Sequence, residues 1–352
     1  MPIKITGSGC YIPTEVVSNY DFAEHTFLND DGTPFPLPNK VITEKFYDIT
    51  GIQERRYVSD DLLTSDIATI AAKNAIQDAN LDPETLDYII FAHNFGNVKK
   101  GAIQTDLLPS LATRVKHNLR IKNPKCVAYD MLFGCPGWVE GMIQAQAYIK
   151  AGMAKKCLII GAETLSRVVD LHDRDSMIYS DGAGATILEA TDEEGGFLAH
   201  ETATFAFEEA HYLFFGNSFN TSHDPNVRYI KMHGRKIYEF ALNQVPKAMA
   251  ECLDKSGLKI QDIKKILIHQ ANEKMDEAII QRFYKIYNET PPPGIMPMSI
   301  HKLGNSSVAT VPTLYDSLVK GKIENQSIQK GDVIMFASVG AGMNVNAIVY
   351  KM

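Results

Sequence analysis

The sequence predicts an α/β fold assembled from two similar halves, each a sheet with helices packed on it, and three observations predict it. Apolar strand-like runs alternate with helical patterns of about 10 to 15 residues along the chain. Those patterns recur in the second half, in the same order and at nearly constant spacing. The composition, 45% hydrophobic and 22% charged over 352 residues, is that of an ordinary globular protein with ample material for a core.

The first recurrent element is a helix end, a short loop and a buried strand. It spans 75–92 and returns over 252–269, with Leu81 matching Leu258, 177 residues on. The second is a glycine turn opening a helix: Gly134 and Cys135 match Gly304 and Asn305 at an offset of 170. The third is the strand Leu158 to Ala162, which matches Ile334 to Ser338 at 176. Three matches in one order point to duplication, with halves at 1–192 and 193–352. Strands joined through helices predict mostly parallel sheets covered on both faces. A pseudo-twofold between the halves sets equivalent helix starts face to face, which pairs Cys135 with Asn305. His269 then closes the strand equivalent to Tyr88–Ala92.

Several function classes drop out. The longest apolar runs, such as Tyr88–Ala92 and Cys157–Ile160, fall far short of the roughly 20 residues of a membrane span. The start, Met1 to Gly7, lacks the basic and apolar regions of a secretory signal, so a cytoplasmic protein is expected. The five cysteines, at 10, 126, 135, 157 and 252, form no CxxC pair, and the ten histidines include no HExxH, so neither a metal site nor a disulfide framework is expected. A formal charge of −7 without a basic run gives no footprint for nucleic acid. Gly7-Ser8-Gly9 and Gly182-Ala183-Gly184 lack the third glycine of a dinucleotide fingerprint and read as tight turns. The cluster Arg167, Asp170, Asp173, Arg174 and Asp181 reads as structural ion pairing.

Cys135 is the candidate nucleophile. It follows the strand-like run Val127 to Phe133, and the next helix buries Trp138, Met142, Ala145 and Ile149 on one face. Pro136 suits the first helical position, which puts Cys135 at or beside the N-cap, where the helix end lowers a thiol's pKa. His269 ends the apolar run Ile266 to Ile268, at the carboxyl end of a strand where α/β sites lie. Asn305, read alone, is a turn or cap residue. Together, a neutral histidine and an asparagine amide can each donate a hydrogen bond to one enolate oxygen. A cysteine protease uses the same residue types, but its histidine activates the thiol. Here the helix end supplies that activation, which frees His269 and Asn305 to polarise a second thioester.

The strings that carry this chemistry resemble, essentially end to end, β-ketoacyl-acyl-carrier-protein synthase III, a condensing enzyme of the thiolase superfamily. They are Ile5 to Pro13, Thr50-Gly51-Ile52 through Arg56, the Cys135 turn, Gly161 to Arg167, Asp181 to Ala185, His269-Gln270-Ala271-Asn272, Gly304-Asn305 and Gly340-Ala341-Gly342. The resemblance implies a thiolase-like duplicated fold with mixed sheets sandwiching helices. It implies ping-pong chemistry: Cys135 takes an acyl group from a CoA or carrier-protein thioester, a malonyl-type thioester loses CO2 against His269 and Asn305, and the carbanion attacks the Cys135 acyl carbon. Backbone N–H groups of Cys135 and Ala341 then form the oxyanion hole. Arg167, Arg235 and Lys274 bind substrate, acyl-CoA or acyl-carrier-protein thioesters are substrates with no further cofactor, and the enzyme is a homodimer whose partner closes the acyl pocket.

Departures bear on the substrate. A Trp and an Arg frequent in the family are replaced by the run Lys45 to Ile49, and Lys274 stands for an Arg, keeping charge but losing the bidentate fork. Inserted segments at 27–40 and 206–228, with Pro136 after the nucleophile, imply a reshaped pocket. These fit a secondary-metabolite enzyme of alkylquinolone or dialkylresorcinol type, working by non-decarboxylating condensation with a β-ketoacyl-type thioester or by acyl transfer, as well as fatty acid initiation. A degradative thiolase is disfavoured because Ser338 and Val339 stand where a second reactive cysteine belongs. A catalytically silent partner subunit is disfavoured by the retained Cys135, His269 and Asn305.

Overall fold

The computed structural model describes every residue except Ile103. Its frame is two sheets. The first orders its strands Ile3–Tyr11, Asp181–Ala190, Lys156–Thr164, Tyr88–His93, Val127–Leu132. Its first two joints are antiparallel and its last two parallel. The second sheet orders Gly196–Thr204, Asn344–Lys351, Val333–Gly340, Ile263–Ile268, with joints antiparallel, antiparallel and parallel. The four strands of the second sheet therefore match the first four of the first in order and sense.

The fifth place in the second sheet is taken by irregular chain. The Ile266 N–H donates to the Ile295 carbonyl at 2.8 Å, so the segment lies along the edge. Pro291, Pro292, Pro293 and Pro297 remove the donors a ladder there requires. The sheets are mixed rather than mostly parallel. A parallel joint needs a crossover of a dozen or more residues, and the Gly340–Asn344 turn is too short to be one.

Five layers result. Helices Gly137–Lys150 and Thr310–Val319 lie between the sheets, where Trp138, Met142, Leu314 and Leu318 pack on Ile90 and Ile159 from one sheet and Leu267, Phe336 and Ile348 from the other. The predicted face of the first of these helices, Trp138, Met142, Ala145 and Ile149, is buried. Trp138 meets Phe336 edge-on at 5.3 Å and donates to Thr186 Oγ1 at 3.2 Å. Helices Thr64–Asp78 and Leu111–Asn118 cover the outer face of the first sheet, and Gly234–Ser256 and Glu273–Ile286 that of the second. Helix Thr310–Val319, from the second half of the chain, reaches the first sheet through Asp316, which accepts from the Ser8 hydroxyl at 2.8 Å.

Both insertions pack near the helix starts. In the first, Phe27, Phe35 and Leu37 join a cluster with Phe46 and Ile178. The second forms a ribbon of Leu213–Gly216 with Tyr229–Met232. Buried Lys231 ties it down through Asp170 at 2.5 Å and Asp173 at 3.0 Å, while Asp170 also accepts from the Phe219 N–H at 2.8 Å. Two of the predicted ion-pair residues thus serve structure, through a lysine that the sequence pattern did not single out.

Candidate active site

The Val127–Leu132 strand ends just before Cys135, and the helix after it opens at Gly137 with Pro136 as its N-cap. The helix starts one residue later than predicted, so Cys135 immediately precedes the cap. Gly340 presses against this turn from the second sheet. A Cβ added there would lie 2.7 Å from Pro136 Cδ, 2.8 Å from the Cys135 nitrogen and 2.9 Å from Cys135 Cβ. Its φ of −171° is ordinary extended backbone, so space alone demands glycine. Gly340→Ala is expected to cost about 1–3 kcal/mol through overpacking and to displace Cys135. Thermal unfolding together with Cys135 acylation checks this, and unchanged values for both would remove the spatial argument.

His269 follows the Ile263–Ile268 strand, its N–H donating to the Ala337 carbonyl at 2.9 Å. The next residues hold it in place. Gln270 donates to the Pro297 carbonyl at 2.8 Å and accepts from the Ser299 N–H at 2.9 Å. Asn272 caps helix Glu273–Ile286 by accepting from the Met275 N–H at 3.0 Å. Asn305 is fixed by backbone bonds to Ile178 and Ser180, both at 2.9 Å. Its Oδ1 accepts from the Ser307 N–H at 2.8 Å, an amide orientation assigned by that bond, which leaves the Nδ2 hydrogens for the cavity.

Cys135, His269, Asn305, Ser307 and Ala341 line one cavity of about 220 Å³. Its remaining wall is mainly apolar and includes Phe95, Leu213, Phe215, Ile230 and Met232, so the second insertion and the strand that follows it supply much of it. Phe95 and Phe215 stack at 4.8 Å, and Phe215 is 41% exposed, so the stack carries the wall out to the molecular surface. A second cavity, about 390 Å³, shares Ile178, Met232, Ile237, Ala271 and Met275 with the first and reaches outward to Lys45, Arg174 and Arg235.

Electrostatics correct one expectation. Burial pushes the Cys135 thiol up to about 11, and nearby Glu163 adds to this, while the Ser307 hydroxyl at 3.4 Å pulls the other way. Desolvation by the mainly apolar wall opposes the charge that a helix end favours, although the residue itself is only partly buried. Burial also pushes His269 down to about 4, so its imidazole is neutral over the physiological range. The acylation rate at Cys135 is therefore expected to rise roughly tenfold per pH unit from pH 6 to 8 without levelling, because the thiolate fraction rises with pH below the thiol's pKa. A plateau beginning below pH 8 would contradict the raised thiol.

The three predicted substrate-binding cations fare differently. Arg235 lines the outer cavity and pairs with Glu239 at 2.9 Å. Arg167 lines neither cavity: its guanidinium bonds the Ser59 carbonyl at 2.9 Å, beside Asp181, and serves the loop there. Lys274 is exposed on the first turn of its helix, outside both cavities. Sequence reasoning missed Asn94, Glu163 and Ser307. The signal for Ser307 lay in the Asn305-Ser306-Ser307 string, but Asn94 and Glu163 are neighbours of Cys135 only in three dimensions.

The signature described as 3-Oxoacyl-[acyl-carrier-protein (ACP)] synthase III matches residues 129–205, and its C-terminal counterpart matches 253–352. The β-ketoacyl-[acyl-carrier-protein] synthase III of Caldanaerobacter subterraneus subsp. tengcongensis is 32% identical over 355 residues, spanning 99% of this chain and 97% of that one. The chain belongs to the 3-oxoacyl-[acyl-carrier-protein] synthase III family. The Aquifex aeolicus relative of the same description is 31% identical over the full length of both chains. The crystal structure of 3-oxoacyl-[acyl-carrier-protein] synthase III from Aquifex aeolicus superposes with a TM-score of 0.80 at 30% identity, covering 99% of this chain and all of that one. The fold is accordingly the thiolase-like one, and the chain is an enzyme of the synthase class. Among the described residues no helix is long and apolar enough to cross a membrane, and no group of three or more His, Cys, Asp or Glu could hold a metal.

Proposed function

We propose that the protein forms a carbon–carbon bond by decarboxylative Claisen condensation of a Cys135-bound acyl group with a malonyl-type thioester. The observation that carries this reading is the convergence of Cys135, His269 and Asn305 on one mainly apolar cavity that continues into a second, cation-edged one. In the first half-reaction the Cys135 thiol loses its proton, the thiolate attacks the donor's thioester carbonyl, the donor's carbon–sulfur bond breaks, and the departing thiolate takes up a proton in turn. Backbone N–H groups of Cys135 and Ala341 stabilise the tetrahedral oxyanion. In the second, the malonyl-type thioester loses CO2, and the electron pair it leaves develops as an enolate whose oxygen accepts from His269 and Asn305. That carbanion attacks the acyl carbon and expels the Cys135 thiolate, which is reprotonated. A neutral imidazole suits the second step because it donates a proton in a hydrogen bond without bringing charge.

Fatty acid initiation is favoured over alkylquinolone or dialkylresorcinol synthesis by full-length relatives at 31–32% identity. The priming β-ketosynthase of the R1128 polyketide pathway, at 22%, shares the fold alone. The outer cavity's Lys45, Arg174 and Arg235 suit the phosphates of a CoA or carrier-protein arm. The reading includes a homodimer through the first sheet's edge strand, Val127–Leu132, where Val127 is 47% and Leu132 67% exposed. It also includes a cytoplasmic location.

Incubation with a panel of acyl-CoA and acyl-carrier-protein thioesters, followed by intact mass, tests the first half-reaction. Adding malonyl thioester and detecting CO2 with a β-ketoacyl product tests the second. No acyl adduct from any donor would overturn the proposal.

A further inference from the structure

We propose that the Ser307 hydroxyl is the donor that stabilises the Cys135 sulfur as a thiolate, and that Asn94, braced by Glu163, is the positioning residue that aims it. The inference rests on Cys135 being the nucleophile, as proposed above, but not on the identity of any substrate.

The argument is one of direction. Ser307 Oγ lies 3.4 Å from Cys135 Sγ, and a hydroxyl on its own is a rotor that could point its single proton elsewhere. Asn94 Nδ2 lies 3.3 Å from the same oxygen. An amide nitrogen only donates, so Ser307 Oγ accepts there and keeps its proton for the sulfur. The Asn94 amide is itself fixed. Glu163 Oε1 accepts from Nδ2 at 2.7 Å and also from the Asn94 backbone N–H; burial pushes this carboxyl up to about 7, but Oε1 is committed as acceptor to the backbone N–H, so any proton sits on Oε2 and Oε1 offers no donor to the flipped amide. Glu163 is wholly buried, in the first sheet's Lys156–Thr164 strand, which makes the brace rigid.

Backbone strain points the same way. Ser307 has φ of 52°, in the left-handed region that disfavours every residue with a Cβ. Glycine would occupy it freely, and the backbone N–H that orients Asn305 would be the same. Among the described residues, the hydrogen bonds of the Ser307 side chain run only to Cys135 and Asn94. Strain held at a position whose side chain serves the nucleophile marks a functional role rather than a packing one. The device also supplies, from the second half of the chain, a donor for a sulfur whose desolvation opposes its charge.

The test uses iodoacetamide as a substrate-independent probe of the Cys135 thiol in the full-length protein, with the adduct mapped to the Cys135 peptide. Ser307→Gly is expected to unfold at the same or a higher temperature yet alkylate roughly tenfold more slowly at fixed pH, because one hydrogen bond to the anion is gone. Ser307→Ala keeps the wild-type strain and is expected to show the same loss, which guards against any effect of added backbone freedom. Asn94→Ala is expected to slow alkylation less, and to add nothing in the Ser307→Gly background. Wild-type alkylation rates in both Ser307 variants would overturn the donor role, and additive effects of Asn94→Ala and Ser307→Gly would overturn the positioning role. Normal alkylation changes with no acyl transfer from any thioester would instead count against the proposed function, leaving this inference intact.

Discussion

Cys135→Ala is expected to abolish the acyl adduct and to lower overall condensation by at least ~10³-fold, the scale on which covalent nucleophiles contribute. Intact mass and peptide mapping read the first effect, and product formation the second. No other thiol is placed to substitute. Cys126, Cys157 and Cys252 are buried, and Cys10, partly exposed, is pushed up to about 12 by burial with Asp316 beside it. The variant is still expected to release CO2 from malonyl thioester without a product, because His269 and Asn305 do not depend on the sulfur to stabilise an enolate. An adduct of undiminished yield in Cys135→Ala would move the nucleophile elsewhere.

Much of this site was legible in the sequence because the duplication is. Matching Gly134-Cys135 to Gly304-Asn305 placed the first helix start to within two residues, whereas after Asn305 a 3-10 turn at Ser307–Ala309 delays the helix to Thr310; four strands of each sheet share one order. His269 was legible because it ends an apolar strand, and its neighbours Gln270 and Asn272 turn out to be the pin and the cap that hold it. What escaped has a common cause. The antiparallel joints, the Lys231 knot and the Asn94–Ser307 contact are non-local pairings, and one-dimensional periodicity carries no record of them. The raised thiol escaped for a related reason. A helix end is visible in Pro136, but the mainly apolar wall that pushes the thiol up is assembled from the insertion ribbon and from Phe95, far apart in the chain. Arg167 shows the converse: a motif position read correctly as arginine, whose guanidinium the fold turns onto backbone carbonyls.

His269→Ala is expected to acylate at Cys135 within a few-fold of the wild type yet to condense about 10²–10³ times more slowly, the loss typical of one oxyanion donor in a dry site. The split follows from the protonation states. Burial holds the thiol up at about 11 and the imidazole down at about 4, so full transfer of the thiol's proton to His269 is strongly uphill. The sulfur instead reacts through its small thiolate fraction, towards which the Ser307 hydroxyl donates, and the donor's departing thiolate is protonated afterwards. In the second half-reaction the same neutral imidazole is well suited, because the enolate oxygen needs a donor and the surrounding wall is mainly apolar. Asn305→Ala is expected to show the same split, with its Nδ2 hydrogens lost from the cavity and the Ser307 N–H left without its Oδ1 acceptor. Single-turnover kinetics with separate acylation and condensation readouts measure both variants. If acylation in His269→Ala falls as far as in Cys135→Ala, the imidazole acts as base on the sulfur, and the division of labour between the two halves of the chain is wrong.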